Sequence, residues 1–189
     1  VWGVDEYASF CVSFLDELKI NKIHAIVGHS FGGRVIITLM SKKMIAADKV
    51  VLIGSAGIKP KRSIQKGMYF VVAKTGKRIL SMPGLKKYST KARNRLYEQA
   101  GATDYLNSGK MRNIFLKTIN TDLKSLASEI NQPTLLIWGS EDSETPLVDA
   151  RFFHKAIRGS TLKIIQGGTH FVHNEHPRKV AKWMKEFIR

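Results

Sequence analysis

Four short apolar runs punctuate the chain, each closed by glycine: KIHAIVG (22–28), KVVLIGSAG (49–57), TLLIWG (134–139) and TLKIIQGG (161–168). Their apolar character is nearly continuous, not alternating, which predicts strands buried on both faces, as in a parallel sheet. Between them the hydrophobic period lengthens. Tyr7, Phe10, Cys11, Phe14, Leu15 and Leu18 form a helical stripe over 5–19, with Asp5 and Glu6 suited to its N-terminal end. Helical patterns follow at 34–43 (RVIITLMSKK) and at 147–157. The last segment places Val180, Trp183, Met184, Phe187 and Ile188 on one stripe, with Lys182, Lys185 and Arg189 opposite. Strands alternating with helices require crossover connections, so the pattern predicts an α/β domain with a parallel sheet.

Residues 58–121 interrupt the alternation. They contain no convincing strand, and Ile64, Met68, Val71, Val72 and Ile79 recur at helical spacing. Gly67 and Gly76 weaken that helix, Pro83-Gly84 ends it, and more helix is expected near 87–100 and 108–119. The division expected is a core of 1–57 with 122–189, and a helical cap at 58–121 inserted where it can cover the strand ends.

Charge sharpens this division. The formal net charge is +16, yet residues 59–117 alone hold fifteen Lys or Arg against Glu98 and Asp104, leaving the flanks nearly balanced. Arg62, Lys66 and Lys77 fall opposite the Ile64 stripe, so a solvated outer face of the cap accounts for the excess first. A second reading is contact with acidic substrates or an anionic membrane surface. Nucleic acid is not expected as a partner, because no binding motif accompanies the charge.

At 189 residues and 43% hydrophobic content the chain can bury a core. No run approaches the eighteen apolar residues that a transmembrane helix needs. The single cysteine, Cys11, excludes an internal disulfide and falls on the first helical stripe as a small hydrophobe. That composition is compatible with a reducing compartment, and a cytoplasmic location is the expectation. Val1 is neither an initiator methionine nor the start of a signal peptide, which says little when the natural start can lie upstream.

Candidate chemistry begins at GHSFGG (28–33), where Gly28-His29-Ser30-Phe31-Gly32 fits G-x-S-x-G between an expected strand and an expected helix. A strained strand-to-helix turn brings backbone close to its neighbours, and glycines remove the side chains that would clash. The turn also aims the helix N-terminus, with the Phe31 N–H, at the place where charge develops on a carbonyl oxygen. Serine becomes a nucleophile only beside a base, so a histidine and an orienting acid are sought downstream.

The sequence resembles the α/β-hydrolase superfamily, in its serine-nucleophile branch with an inserted helical cap. In that family the triad follows the chain order Ser, Asp or Glu, His. WGSEDSETP (138–146) resembles the acid loop, G-x-x-D-x-x-x-P after a strand, and so implies Asp142. GGTHFVHNEHP (167–177) resembles the histidine loop, with E-x-P opening the last helix, and implies His170. Rivals are near each: Glu141, Glu144 and Asp149 for the acid, His173 and His176 for the base. His29 is read as structural, and a metal site from His170, His173 and His176 lacks a second ligand cluster. The resemblance therefore implies Ser30, Asp142 and His170 as catalytic residues, the Phe31 N–H as an oxyanion donor, and no cofactor.

A small acyl substrate, and more specifically a carboxylic ester, is the expectation. The carbon–carbon hydrolases of the family typically have Met after the serine and Trp after the histidine, where this chain has Phe31 and Phe171. A non-catalytic binding module on the same fold is the other alternative. In the family the elbow serine follows the fifth strand of eight, so the four runs here correspond to the last four. The expectation is a C-terminal part of a larger hydrolase, whose missing N-terminal segment supplies the second oxyanion donor. Residues 1–189 alone are then expected to be poorly soluble or inactive.

Overall fold

In the computed structural model, residues 1–59 and 109–189 are described; the expected helices near 64–79 and 87–100, and most of the expected cap, lie outside them. Residues 2–59 and 118–189 pack as one compact unit, and Val1 with 109–117 belongs to a second. The elements are α1 (Val4–Glu17), β1 (Ile23–His29), α2 (Phe31–Ser41), β2 (Ala47–Ile53), α3 (Arg112–Asn120), α4 (Lys124–Ala127), β3 (Thr134–Gly139), α5 (Leu147–Ala156), β4 (Thr161–Ile165), α6 (Val172–Glu175) and α7 (Pro177–Ile188). The fold is α/β, with four parallel strands flanked by helices.

The strands lie in the order β1-β2-β3-β4, all pairs parallel, with Gly28 opposite Leu52, Leu52 opposite Leu136 and Leu136 opposite Leu162. Side chains on β2 and β3 divide between two cores as the two-residue strand period requires. Val50, Leu52, Leu136 and Trp138 face one core with Ile36, Ile37 and Met40 of α2, Leu123, and Ala150 and Phe153 of α5. Val51, Ile53, Leu135 and Ile137 face the other, where α7 supplies Val180 with Trp183, Met184, Phe187 and Ile188. Burying a side chain such as Phe153, which is fully enclosed, contributes about 1.5–3 kcal/mol.

The last helix follows the expected stripe. Pro177 occupies its first turn, where a missing N–H is harmless, and its Ile188 carbonyl accepts hydrogen bonds from Lys49 Nζ at 2.8 Å, favourable at a negative helix end. The first helix follows its stripe only in part. Ala8 is buried against Val35 and Leu39 of α2, with Tyr7, Cys11 and Val12 packed beside them, while Phe10, Phe14 and Leu18 stay more than half exposed. The face turned inward thus carries Val4 and Ala8 with Tyr7 and Cys11 of the expected stripe, and Phe10, Phe14 and Leu18 are left outside.

Strand ends also move. The expected strand 49–57 runs from Ala47 to Ile53, because the chain turns at Gly54 after its N–H bonds the Ile137 carbonyl at 2.9 Å. Helix α2 begins at Phe31, three residues before its apolar run. All four strands thus end at one rim, and Ser30, Asp142 and His170 lie just beyond three of those ends. Open parallel sheets place their sites at that rim.

Candidate active site

Ser30 is the residue on which β1 turns into α2. Its φ of 51° and ψ of −113° lie outside the regions ordinary residues favour, and the surroundings hold them in place. The Ser30 N–H donates to the Ile53 carbonyl at 3.1 Å, while its own carbonyl accepts from Gly33 at 3.1 Å and Ala56 at 3.0 Å. No side-chain cap bond engages the serine hydroxyl at the helix start. Tightness explains Gly28: a Cβ there would stand 2.8 Å from the Gly32 carbonyl carbon and 2.6 Å from Ile36. The Phe31 N–H sits in the first turn of α2, whose N–H groups have no acceptor within the helix.

Asp142 and His170 meet directly. His170 Nδ1 lies 2.9 Å from Asp142 Oδ2, with the two side chains 4% and 0% exposed. The other carboxylate oxygen accepts the backbone N–H groups of Glu144 at 2.9 Å and Thr145 at 2.8 Å. The Thr145 hydroxyl stands 2.7 Å from Asp142 Oδ2, 3.1 Å from the Gly54 carbonyl and 3.3 Å from His170 Nδ1. Trp138 Nε1 anchors the same loop by donating to the Thr145 carbonyl at 2.7 Å.

The two loops that carry this pair press on each other at Gly139. A Cβ there would lie 2.1 Å from the Gly168 carbonyl oxygen, and Glu141 N–H donates to that same oxygen at 2.9 Å. The elbow joins them through His29. Its Nε2 is 3.0 Å from the His170 carbonyl, and the two rings are 4.6 Å apart. The structure therefore brings Asp142 and His170 into contact and sets the residue before Ser30 against His170.

The family described as serine aminopeptidase, S33, matches residues 4–177. The chain belongs to this family of the α/β-hydrolase superfamily. Over its full length it is 25% identical to an uncharacterized hydrolase, YugF, of Bacillus subtilis, spanning 73% of that protein. It is 24% identical to the 2-hydroxy-6-oxononadienedioate/2-hydroxy-6-oxononatrienedioate hydrolase of Cupriavidus pinatubonensis, over 92% of this chain and 64% of that one. Among solved structures, the esterase EaEST of Exiguobacterium antarcticum shares the fold, with a TM-score of 0.70 at 18% identity, covering 98% of this chain and 74% of the esterase.

Electrostatics in this S33-family chain favour a charged acid. Burial opposes ionisation of Asp142, but hydrogen bonds from His170 and from the backbone and hydroxyl of Thr145 outweigh it and hold the carboxyl below its usual range. Burial pushes the His29 imidazole the other way, below the ordinary histidine value, against the opposing effect of its bond to the His170 carbonyl. His29 thus tends to neutrality, and its ring packs between those of His170 and His173, the latter 4.3 Å away.

The rival residues take other places. Glu141 uses its backbone as described, Asp149 begins α5 with its carboxyl raised by burial, and His173 stacks on His29. Thr145 and Glu175 support the site and were not singled out from the sequence. Glu175 accepts hydrogen bonds from the Thr169 N–H at 2.9 Å and from the Thr169 hydroxyl, fixing the residue before His170. The E-x-P signature contained that clue, since its glutamate sits where a short helix can turn it back onto the loop. No helix among the described residues is long and apolar enough to cross a membrane.

Proposed function

We propose that the protein is a serine hydrolase working by acyl transfer, with Ser30 as nucleophile, His170 as general base and then acid, and Asp142 as the orienting anion. The observation that carries this reading is the buried Asp142–His170 pair beside the elbow. Asp142 on Nδ1 fixes the tautomer with its lone pair on Nε2, the nitrogen that takes the Ser30 proton as Oγ attacks the acyl carbon. The oxyanion formed is received by the Phe31 N–H at the positive end of α2. Protonated His170 then delivers its proton to the leaving group, and water repeats the cycle on the acyl-enzyme.

A carboxylic ester or related small acyl compound is the proposed substrate, no cofactor is invoked, and residues 58–121 are proposed as a helical cap insertion. Phe31 and Phe171 at the two positions flanking the chemistry favour this over carbon–carbon cleavage. The Cupriavidus relative supports the second reading, hydrolysis of a carbon–carbon bond, by its name and 24% identity. The basic stretch at 59–117 is proposed as the wet face of the cap, with acidic substrates or an anionic membrane surface as the second reading, and the cytoplasm as the location.

A fluorophosphonate probe tests the nucleophile. Labelling of the protein at Ser30, lost in Ser30→Ala, supports a hydrolase; a folded protein that takes no label overturns it in favour of a binding module. A panel of p-nitrophenyl esters run beside a vinylogous 1,5-diketone separates the two substrate classes.

A further inference from the structure

Two carboxylates bracket the imidazole of His170. Asp142 holds Nδ1, and on the opposite side Glu144 Oε2 approaches Nε2 to 3.5 Å, an ion-pair distance. The backbone of Glu144 is pinned by its N–H bond to Asp142 Oδ1, so the loop that supplies the orienting acid also aims a second acid at the working nitrogen. The Glu144 side chain is 52% exposed, free to take other rotamers in a way that Asp142 is not.

We infer that Glu144 is a positioning residue that favours the protonated form of His170, a brake on the general base at the nitrogen meant for Ser30. The inference rests on the Ser30–His170–Asp142 reading. An imidazolium donates from both nitrogens and satisfies both carboxylates. A neutral imidazole with its proton on Nδ1 turns a lone pair at Glu144, which repels the carboxylate. Glu144 therefore raises the pH at which Nε2 becomes able to accept a proton. A protonated Nε2 cannot take the Ser30 proton, so turnover requires both loss of that proton and departure of the Glu144 carboxylate.

Other groups set the baseline and not the difference. Among the described residues, Asp142 faces Nδ1 from the loop after β3 and favours the cation. His29, at the end of β1, stacks on the ring and opposes the cation when itself charged, with His173 of α6 behind it. The Thr145 hydroxyl and the Phe171 ring are uncharged neighbours. Glu144→Gln removes one charge and leaves the rest in place.

The test follows the His170 ring by NMR across pH in the protein and in Glu144→Gln, beside the acid limb of kcat/KM on p-nitrophenyl acetate. Both midpoints are expected to fall by about 0.5–1 pH unit in the variant, below the 1–3 units of a fully desolvated pair because Glu144 is half exposed. Below the limb the variant is then about 3–10-fold faster, and 1 M salt narrows the gap between the two proteins. Glu144→Asp, with its charge on a shorter stem, is expected to fall between them. A His170 midpoint that stays fixed in folded Glu144→Gln overturns the inference. The NMR midpoint needs no turnover, so absence of Ser30 labelling would fell the hydrolase reading while Glu144 is still decided.

Discussion

Asp142 Oδ2 and His170 Nδ1 are 2.9 Å apart at the rim of the sheet, and almost none of either side chain reaches solvent. A buried carboxylate is expensive unless its lone pairs are met. Here every partner comes from within reach of its own loop or from the loop it serves: two backbone N–H groups, a hydroxyl and the imidazole. The pair is therefore preorganised by the fold.

Asp142→Asn keeps the shape and removes the charge. On the proposed chemistry, kcat is expected to fall on the order of 1,000–10,000-fold, because an amide can donate to Nδ1 and leave the proton on the wrong nitrogen. Stability carries its own signature. The folded carboxyl titrates below its unfolded value of about 3.9, so its contribution is complete above about pH 4 and is lost as pH falls through the lowered folded value. Urea unfolding at several pH values should show the natural protein ahead of the variant at pH 7, with the gap closing in acid. A gap that widens in acid contradicts the assignment.

Gly139→Ala tests how tightly the acid and histidine loops are coupled. Its new methyl would start 2.1 Å from a backbone carbonyl oxygen, which has no rotamer to escape through, so the loops themselves must part. We expect a loss of about 1–3 kcal/mol in urea unfolding, the usual range for overpacking. Fluorophosphonate labelling should slow together with stability, since the displaced loop carries His170. Unchanged labelling in a destabilised variant would separate the two effects and deny the coupling.

The central strands were legible because burial on both faces leaves no polar alternation to confuse the eye: VVLI and TLLIW admit few other readings, whereas the edge strands β1 and β4, expected to be buried as well, leave His24, Val27, Thr161 and Lys163 exposed. That Ser30, Asp142 and His170 follow the ends of β1, β3 and β4 was legible because each motif stands directly after a glycine-closed apolar run. What escaped the sequence was set by tertiary contact. The aromatic stripe of α1 predicts burial of Phe10 and Phe14, yet the helix turns Ala8, Tyr7 and Cys11 towards Val35 and Leu39 of α2 and leaves both phenylalanines more than half exposed. Glu144 reads from sequence only as a rival to Asp142, since nothing in the spacing says that its side chain turns back to the far nitrogen of His170. Thr145 likewise looks like a loop residue until Gly54, 91 residues away in the chain, brings its carbonyl to the hydroxyl.

Glu175 gives the last prediction, and it concerns position alone. Its carboxylate ties the backbone and hydroxyl of Thr169, one residue before the proposed base, and those bonds hold its carboxyl below the usual range. It lies on α6, a single turn wedged between the histidine loop and α7, so it can brace the loop without entering the chemistry. Glu175→Ala removes both bonds at an exposed site, where the fold should lose little. A base displaced by even 1 Å is expected to lower kcat on the order of 100-fold, with KM for a small ester nearly unchanged. Glu175→Gln can accept the Thr169 N–H through its amide oxygen and donate from its amide NH2 to the Thr169 hydroxyl, and should recover most of the rate. Equal losses in the two variants would point to the charge itself, and would remove Glu175 from the support of His170.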